Sequence, residues 1–230
     1  MTEELAYSLF HDVLLPKIAV EDKSMKTLSL RRSIRHSVSP NFKLADATYV
    51  VFDFETTGLD YNRDRIIEIG AQKIKGKKVI GEISTLIHTE MEIPKVVQEL
   101  TGITPNMLVG QPPIDEFLPK FLDFMHGSIL VAHNAEFDLS FLSAECSRLG
   151  IDIEWPVFCT LKLSRELLPD LERKNLDTLA EFYNLTFESR HRSIGDVKVT
   201  ASVLQEMLKN EGDYMEYWRD MEPFTVISKA

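Results

Sequence analysis

Four carboxylates and one imidazole carry the chemistry that can be read from this chain. Asp53 and Glu55 lie two apart in Tyr49-Val50-Val51-Phe52-Asp53-Phe54-Glu55, a run that is otherwise apolar and β-rich. Strand periodicity turns both to one face, with Val51. On a packed strand such a pair repels itself and loses solvation unless a cation lies between; an edge strand with both acids in water is the plainer alternative. Asp138 ends His133-Asn134-Ala135-Glu136-Phe137-Asp138, where Asn134 reads as a helix N-cap and Asp138 falls in the first turns beyond it. Taken alone, Asp138 is an ordinary first-turn acid favoured by the helix dipole. His191 and Asp196 stand at the opening of a third apolar-periodic segment; a lone loop histidine is usually just solvated. Together the five suggest one site. Carboxylates without cysteine or clustered histidine favour hard divalent cations, Mg²⁺ or Mn²⁺, over zinc. The matching reaction is two-metal phosphodiester hydrolysis, with a histidine as the base for the attacking water.

The elements that must position these residues follow from periodicity. Three β-rich runs, over 49–55, 65–74 and 78–87, are joined through short connections and predict an antiparallel meander. Helices over 114–125, 136–149, 160–168, 176–183 and 194–208 alternate with strands over 128–132 and 157–159, which makes an α/β domain. Phe137, Phe141, Leu142, Cys146 and Leu149 trace a buried helical stripe. Residues 1–46 read as an N-terminal extension: an amphipathic stretch with Leu5, Leu9, Val13 and Leu14 on one face, then Lys23, Lys26, Arg31, Arg32, Arg35 and Lys43 with no acid among them. That arm is either solvated or docks phosphate or a partner. The catalytic domain spans 47–210, and 211–230 form a tail in which Tyr214, Tyr217, Trp218 and Met221 predict a helical apolar face packed on the domain or on another subunit.

Composition bounds the rest. The 230 residues are 44% hydrophobic and 27% charged, enough for a core without disulfides or a structural metal. Cys146 and Cys159 have no metal-site spacing and read as small buried hydrophobes of a reducing compartment. No apolar run is long enough to span a membrane, and Glu3 and Glu4 stand where a secretory signal needs positive charge, so the cytoplasm is the expected location. A net charge of −10 argues against a general nucleic-acid coat protein but not against an enzyme that meets nucleic acid through metal ions.

These residues resemble a known family. Asp53-Phe54-Glu55-Thr56-Thr57-Gly58 is similar to the first motif of the DnaQ-like, DEDDh class of 3′–5′ exonucleases; the segment His133 to Asp138 resembles the second, and His191 to Asp196 has the H-x4-D spacing of the third. The resemblance covers about residues 47–210. It implies an RNase H-like, mixed five-stranded sheet flanked by helices, two divalent ions, and stepwise removal of nucleotides from a 3′ end. Carried over, Asp53 bridges both ions, Glu55 and Asp196 complete the first ion's shell, Asp138 binds directly or through water, and His191 deprotonates the attacking water. Leu100-Thr101-Gly102-Ile103 resembles the segment that brackets the terminal nucleotide, with Leu100 and Ile103 against its base and sugar; a helix ended by Thr101-Gly102 explains the same letters. Thr56 and Gly58 approach the terminal 3′-hydroxyl, and Asn134 and Phe137 line the groove. Ser193 departs from the family's usual Ala. The two threonines after Glu55 favour the branch of proofreading subunits and exonuclease domains of bacterial replicative polymerases, and DNA ahead of RNA. An RNA 3′-end trimmer is the alternative enzyme, and a non-catalytic nucleic-acid or polymerase-binding module the alternative of another class.

Overall fold

The computed structural model describes residues 32–227; the amphipathic stretch and the basic residues up to Arg31 lie outside them. In chain order the strands are β1 (Arg32–Arg35), β2 (Thr48–Thr56), β3 (Ile66–Lys75), β4 (Lys78–Leu86), β5 (Ile129–Ala132), β6 (Ile151–Glu154), β7 (Val157–Cys159) and β8 (Thr225–Val226). The helices are α1 (Lys95–Thr101), α2 (Pro105–Leu108), α3 (Ile114–Met125), α4 (Ala135–Arg148), α5 (Thr160–Leu167), α6 (Leu176–Phe182), α7 (Ser193–Asn210) and α8 (Trp218–Met221).

The main sheet runs β4-β3-β2-β5-β7-β8. Strands β2, β3 and β4 form the expected antiparallel meander, β5 and β7 lie parallel to β2, and β8 closes the edge antiparallel to β7. The sheet therefore has six strands instead of five. Its extra strand pairs only Val157 with Val226 and Phe158 with Thr225, too short a run to leave a periodic signal. A separate two-stranded parallel ribbon joins β1 to β6, another pair without a clear pattern.

Strand β2 sorts its side chains by parity. Val50, Phe52 and Phe54 enter one core with Leu118 and Phe121 of α3 and Phe141 and Leu142 of α4. Val51 enters the other, with Leu163, Leu179, Val197, Ala201 and Leu204 from α5, α6 and α7. Asp53 and Glu55 share the parity of Val51 and so belong to the α7 side of a central strand, not to a wet edge.

Both ends of the described chain are tied to this body. Leu44 is buried, its N–H donates to the Glu216 carbonyl at 2.9 Å, and Lys43 bridges Tyr217. The helix expected through Tyr214 to Met221 is shorter: Tyr214 is exposed, and a turn from Gly212 to Met215 intervenes before α8 buries Trp218 and Met221. Asp220 stops the helix from extending backward by accepting the N–H groups of Glu216 and Tyr217 at 3.0 and 2.8 Å. Cys146 and Cys159 are free and buried.

The first turn of α7 rests directly on β3. A Cβ at Gly70 would stand 2.5 Å from the Ser193 carbonyl carbon and 2.6 Å from the Ile194 nitrogen, so only glycine allows this approach. Gly70→Ala is expected to destabilise the domain by about 1–3 kcal/mol through overpacking. Urea denaturation checks this, and an unchanged midpoint would show that helix and strand are not in tight contact.

Candidate active site

Parallel pairing between β2 and β5 stops at Val51 with Val131, while β2 continues for five residues. Backbone donors on that side of the continuation need another acceptor. Asp138 supplies one: its Oδ1 accepts the Phe54 N–H at 3.1 Å, between the two acids of β2, and the residue is 2% exposed. Asn134 holds the N-cap position of α4 in the left-handed region, at φ 60°, but its side chain makes no cap bond. An asparagine tolerates that backbone well.

The third segment arrives through α7. One carboxylate oxygen from each of Asp53, Glu55 and Asp196 lies within 4.8 Å of the others. The structure thus gathers three of the four expected acids and sets Asp138 against the backbone that joins two of them. Arg190 steadies the loop before α7: it pairs with Asp177 at 2.6 and 2.9 Å and with Asp196. His191 has φ 58°, and its backbone N–H bonds Asp196. Gly195 admits the turn, since a Cβ there would meet the Ser189 carbonyl oxygen at 1.9 Å.

A residue that periodicity alone should have flagged is Glu68, an acid in the apolar β3 run opposite Glu55. It is 1% exposed, takes the Arg192 guanidinium through Nε at 3.0 and 3.2 Å and through Nη2, and accepts the Ser193 N–H at 2.9 Å. Glu68 therefore caps α7 from the strand on which its first turn rests and anchors the element that carries Asp196. A second buried acid, Glu145 of α4, receives Arg65 at 2.8 and 2.9 Å, and so fixes the strand start that follows the Thr57–Asp64 loop.

The charges resist their own proximity. Burial, then Asp138, Glu55 and Asp196, hold Asp53 well above the usual carboxylate range. Burial, then Asp196 and Glu68, push Glu55 up to about 8. Burial raises Asp138, against the Phe54 N–H, and raises Asp196 to about 6, against Arg190. His191 is lowered by burial and by Arg190, which keeps its imidazole neutral and able to accept a proton at pH 7. His133, whose Nδ1 lies 2.9 Å from the Thr160 hydroxyl, is lowered to about 4 by burial. Asp196 Oδ1 is buried without a hydrogen-bond partner. An orphaned hard oxygen beside two more carboxylates fits a divalent cation.

The expected substrate contacts fare unevenly. Leu100 is exposed on α1, Asn134 is exposed in the cleft that also contains Asp53 and Asp196, and Phe137 is half-buried against Phe141 with ring centroids 4.9 Å apart. Ile103 is fully enclosed with Ile67, Ile93 and Leu108, so its place is in the core and it offers no face to a nucleotide. Thr101 and Gly102 do end a helix, Gly102 at φ 72°. The Thr56 hydroxyl donates to the Gly58 carbonyl at 2.6 Å, and a Cβ at Gly58 would strike Asp64 at 2.4 Å; both residues shape the loop after β2.

Paired acids on a central strand, answered by an acid from the last long helix, define a class of carboxylate-rich, divalent-metal hydrolases. Within it the chain belongs to the exonuclease family of the RNase T type, whose family model matches residues 50–204. It is 46% identical over 164 residues to DNA polymerase III PolC-type of Caldanaerobacter subterraneus subsp. tengcongensis, covering 71% of this chain and 12% of that relative. It is 35% identical over 179 residues to DNA polymerase III subunit epsilon of Aquifex aeolicus, covering 77% of this chain and 89% of the relative. Among solved structures, exonuclease X in complex with 5′ overhanging duplex DNA aligns with a TM-score of 0.62 at 25% identity, over 76% of this chain and 98% of that one. No helix among the described residues is long and apolar enough to cross a membrane.

The raised acids have a definite sign. A carboxyl whose folded value lies above its unfolded one, 3.8 for Asp and 4.5 for Glu, contributes its full stability below about pH 4 and loses it as pH rises through the folded value. For Glu55 and Asp196 that window runs from about pH 4 to about 8. In EDTA, Tm is expected to carry a falling component across this window, and the Tm gained on adding Mn²⁺ is expected to grow across it. Asp53→Asn should flatten both trends; a metal increment independent of pH and of Asp53 would separate the cluster from cation binding.

Proposed function

We propose that this chain is a 3′–5′ exonuclease domain that removes nucleotides one at a time from DNA 3′ ends, in proofreading or repair, in the cytoplasm beside a replicative polymerase. The single observation that carries it is the meeting of Asp53, Glu55 and Asp196, with oxygens within 4.8 Å, two of them lining one cleft. The identities of the relatives, a polymerase subunit and a polymerase, support the partner.

Asp53, Glu55 and Asp196 would hold the cations, two Mg²⁺ or Mn²⁺ ions, with Asp138 adding a ligand directly or through water. When bound, such ions supply Lewis-acid stabilisation of the phosphoryl oxygens and of the leaving oxygen. His191 accepts the proton of the attacking water, for which a neutral imidazole is the required form. The new bond joins water oxygen to phosphorus, the bond from phosphorus to the 3′-oxygen breaks, and a 5′-mononucleotide leaves a strand with a fresh 3′-hydroxyl. Glu68 and Arg192 act as positioning residues by seating the start of α7.

A 5′-labelled single strand is expected to shorten from its 3′ end in one-nucleotide steps with Mg²⁺ or Mn²⁺, and to stay intact with EDTA. Asp53→Ala is expected to reduce kcat by about a thousandfold or more. His191→Ala should lower it by about a hundred- to ten-thousandfold with little change in KM. Unchanged turnover in the Asp53 variant would refute the site; faster loss of a labelled RNA than of DNA would move the assignment to RNA 3′-end trimming, since the 2′-hydroxyl is what a groove distinguishes.

A further inference from the structure

The cleft that holds Asp53 and Asp196 does not end at the carboxylates. With a volume of about 610 Å³, it is lined also by Arg165 of α5 and by Arg173 and Lys174 in the loop before α6. Arg165 and Arg173 are exposed, and among the described residues neither they nor Lys174 have a carboxylate partner. The Lys174 ammonium donates to the Leu171 carbonyl. Arg190, a fourth cation in the cleft, is already committed to Asp177 and Asp196. Glu172, beside Arg173 in the chain, lines the same cleft. In a chain of net charge −10, three cations that have no acidic partner among the described residues and line the same cleft as Asp53 and Asp196 are an attractor for anions.

We propose that Arg165, Arg173 and Lys174 form a phosphate subsite for the strand on the 5′ side of the scissile bond. The assignment rests on the exonuclease reading above and adds the residues that meet the retained strand. The terminal nucleotide of a 3′ end carries one phosphate, the scissile one, and a free 3′-hydroxyl. Once that phosphate lies at the carboxylate cluster, any phosphate met elsewhere in the cleft belongs to an upstream nucleotide. The three cations therefore receive the retained strand, and hold it without reading base sequence, as phosphate contacts do.

The test uses the full chain with Mn²⁺, a 5′-labelled single-stranded DNA oligomer, and the p-nitrophenyl ester of thymidine 5′-phosphate, which has a scissile phosphodiester but no upstream phosphate. In R165A/R173A, KM for the oligomer is expected to rise about tenfold, and the log–log dependence of kcat/KM on salt to flatten by about 1.4, or roughly 0.7 per lost single-strand phosphate contact. Cleavage of the ester should follow the wild type, which also reports an intact fold. K174A should add a further flattening of about 0.7. Wild-type KM and salt slope in the double variant would overturn the subsite while leaving the exonuclease reading in place. Equal losses on oligomer and ester would overturn it too, by showing an effect on the carboxylate cluster itself. A wild-type chain that cleaves neither substrate would overturn the exonuclease reading and the subsite with it.

Discussion

Mutual repulsion among carboxylates is the constraint around which this domain is built. Asp53, Glu55 and Asp196 hold oxygens within 4.8 Å of one another, and Asp138 touches the peptide between the first two. Such a group relaxes apart unless the backbone carrying it is rigid and cations answer it. Rigidity comes from apolar packing on both faces of β2: Val50, Phe52 and Phe54 on one side, Val51 with the α7 residues on the other. The acids occupy the point where that packing ends and the parallel ladder to β5 has run out.

Two arginines divide the electrostatic work. Arg190 faces the cluster, bracing its guanidinium on Asp177 while it meets Asp196. Arg192 pairs with Glu68 of β3, which binds it and the first N–H of α7 together. Positions two apart in one loop thus take different partners, Arg190 an acid of the cluster and Arg192 the buried acid that seats the helix. A buried carboxylate such as Glu68 is costly unless fully bonded, and the arginine and helix terminus supply those bonds.

The acidic net charge is compatible with a polyanionic substrate because charge is distributed unevenly. Asp53, Glu55 and Asp196 gather on one side of β2, while Arg165, Arg173 and Lys174 line the same cleft as Asp53 and Asp196. Local arrangement, more than the chain total, sets what can approach.

Much of this was legible from the letters. Two acids at period two in an apolar strand, a third after a strand-to-helix junction, and a histidine five before a fourth acid mark the candidate ligands and the candidate base, because desolvated charge in an apolar run is a local anomaly. The meander and the long helices are equally local, written in periods of two and 3.6. What the letters could not carry depends on contacts distant in the chain. The pairings of β1 with β6 and of β7 with β8 involve runs too short to show a period, and the burial of Ile103 is decided by Ile67, Ile93 and Leu108. The roles of Glu68 and Arg192 join residues 124 positions apart. Residue type reports the cost of burying a group; only the folded chain reports which neighbour offsets it.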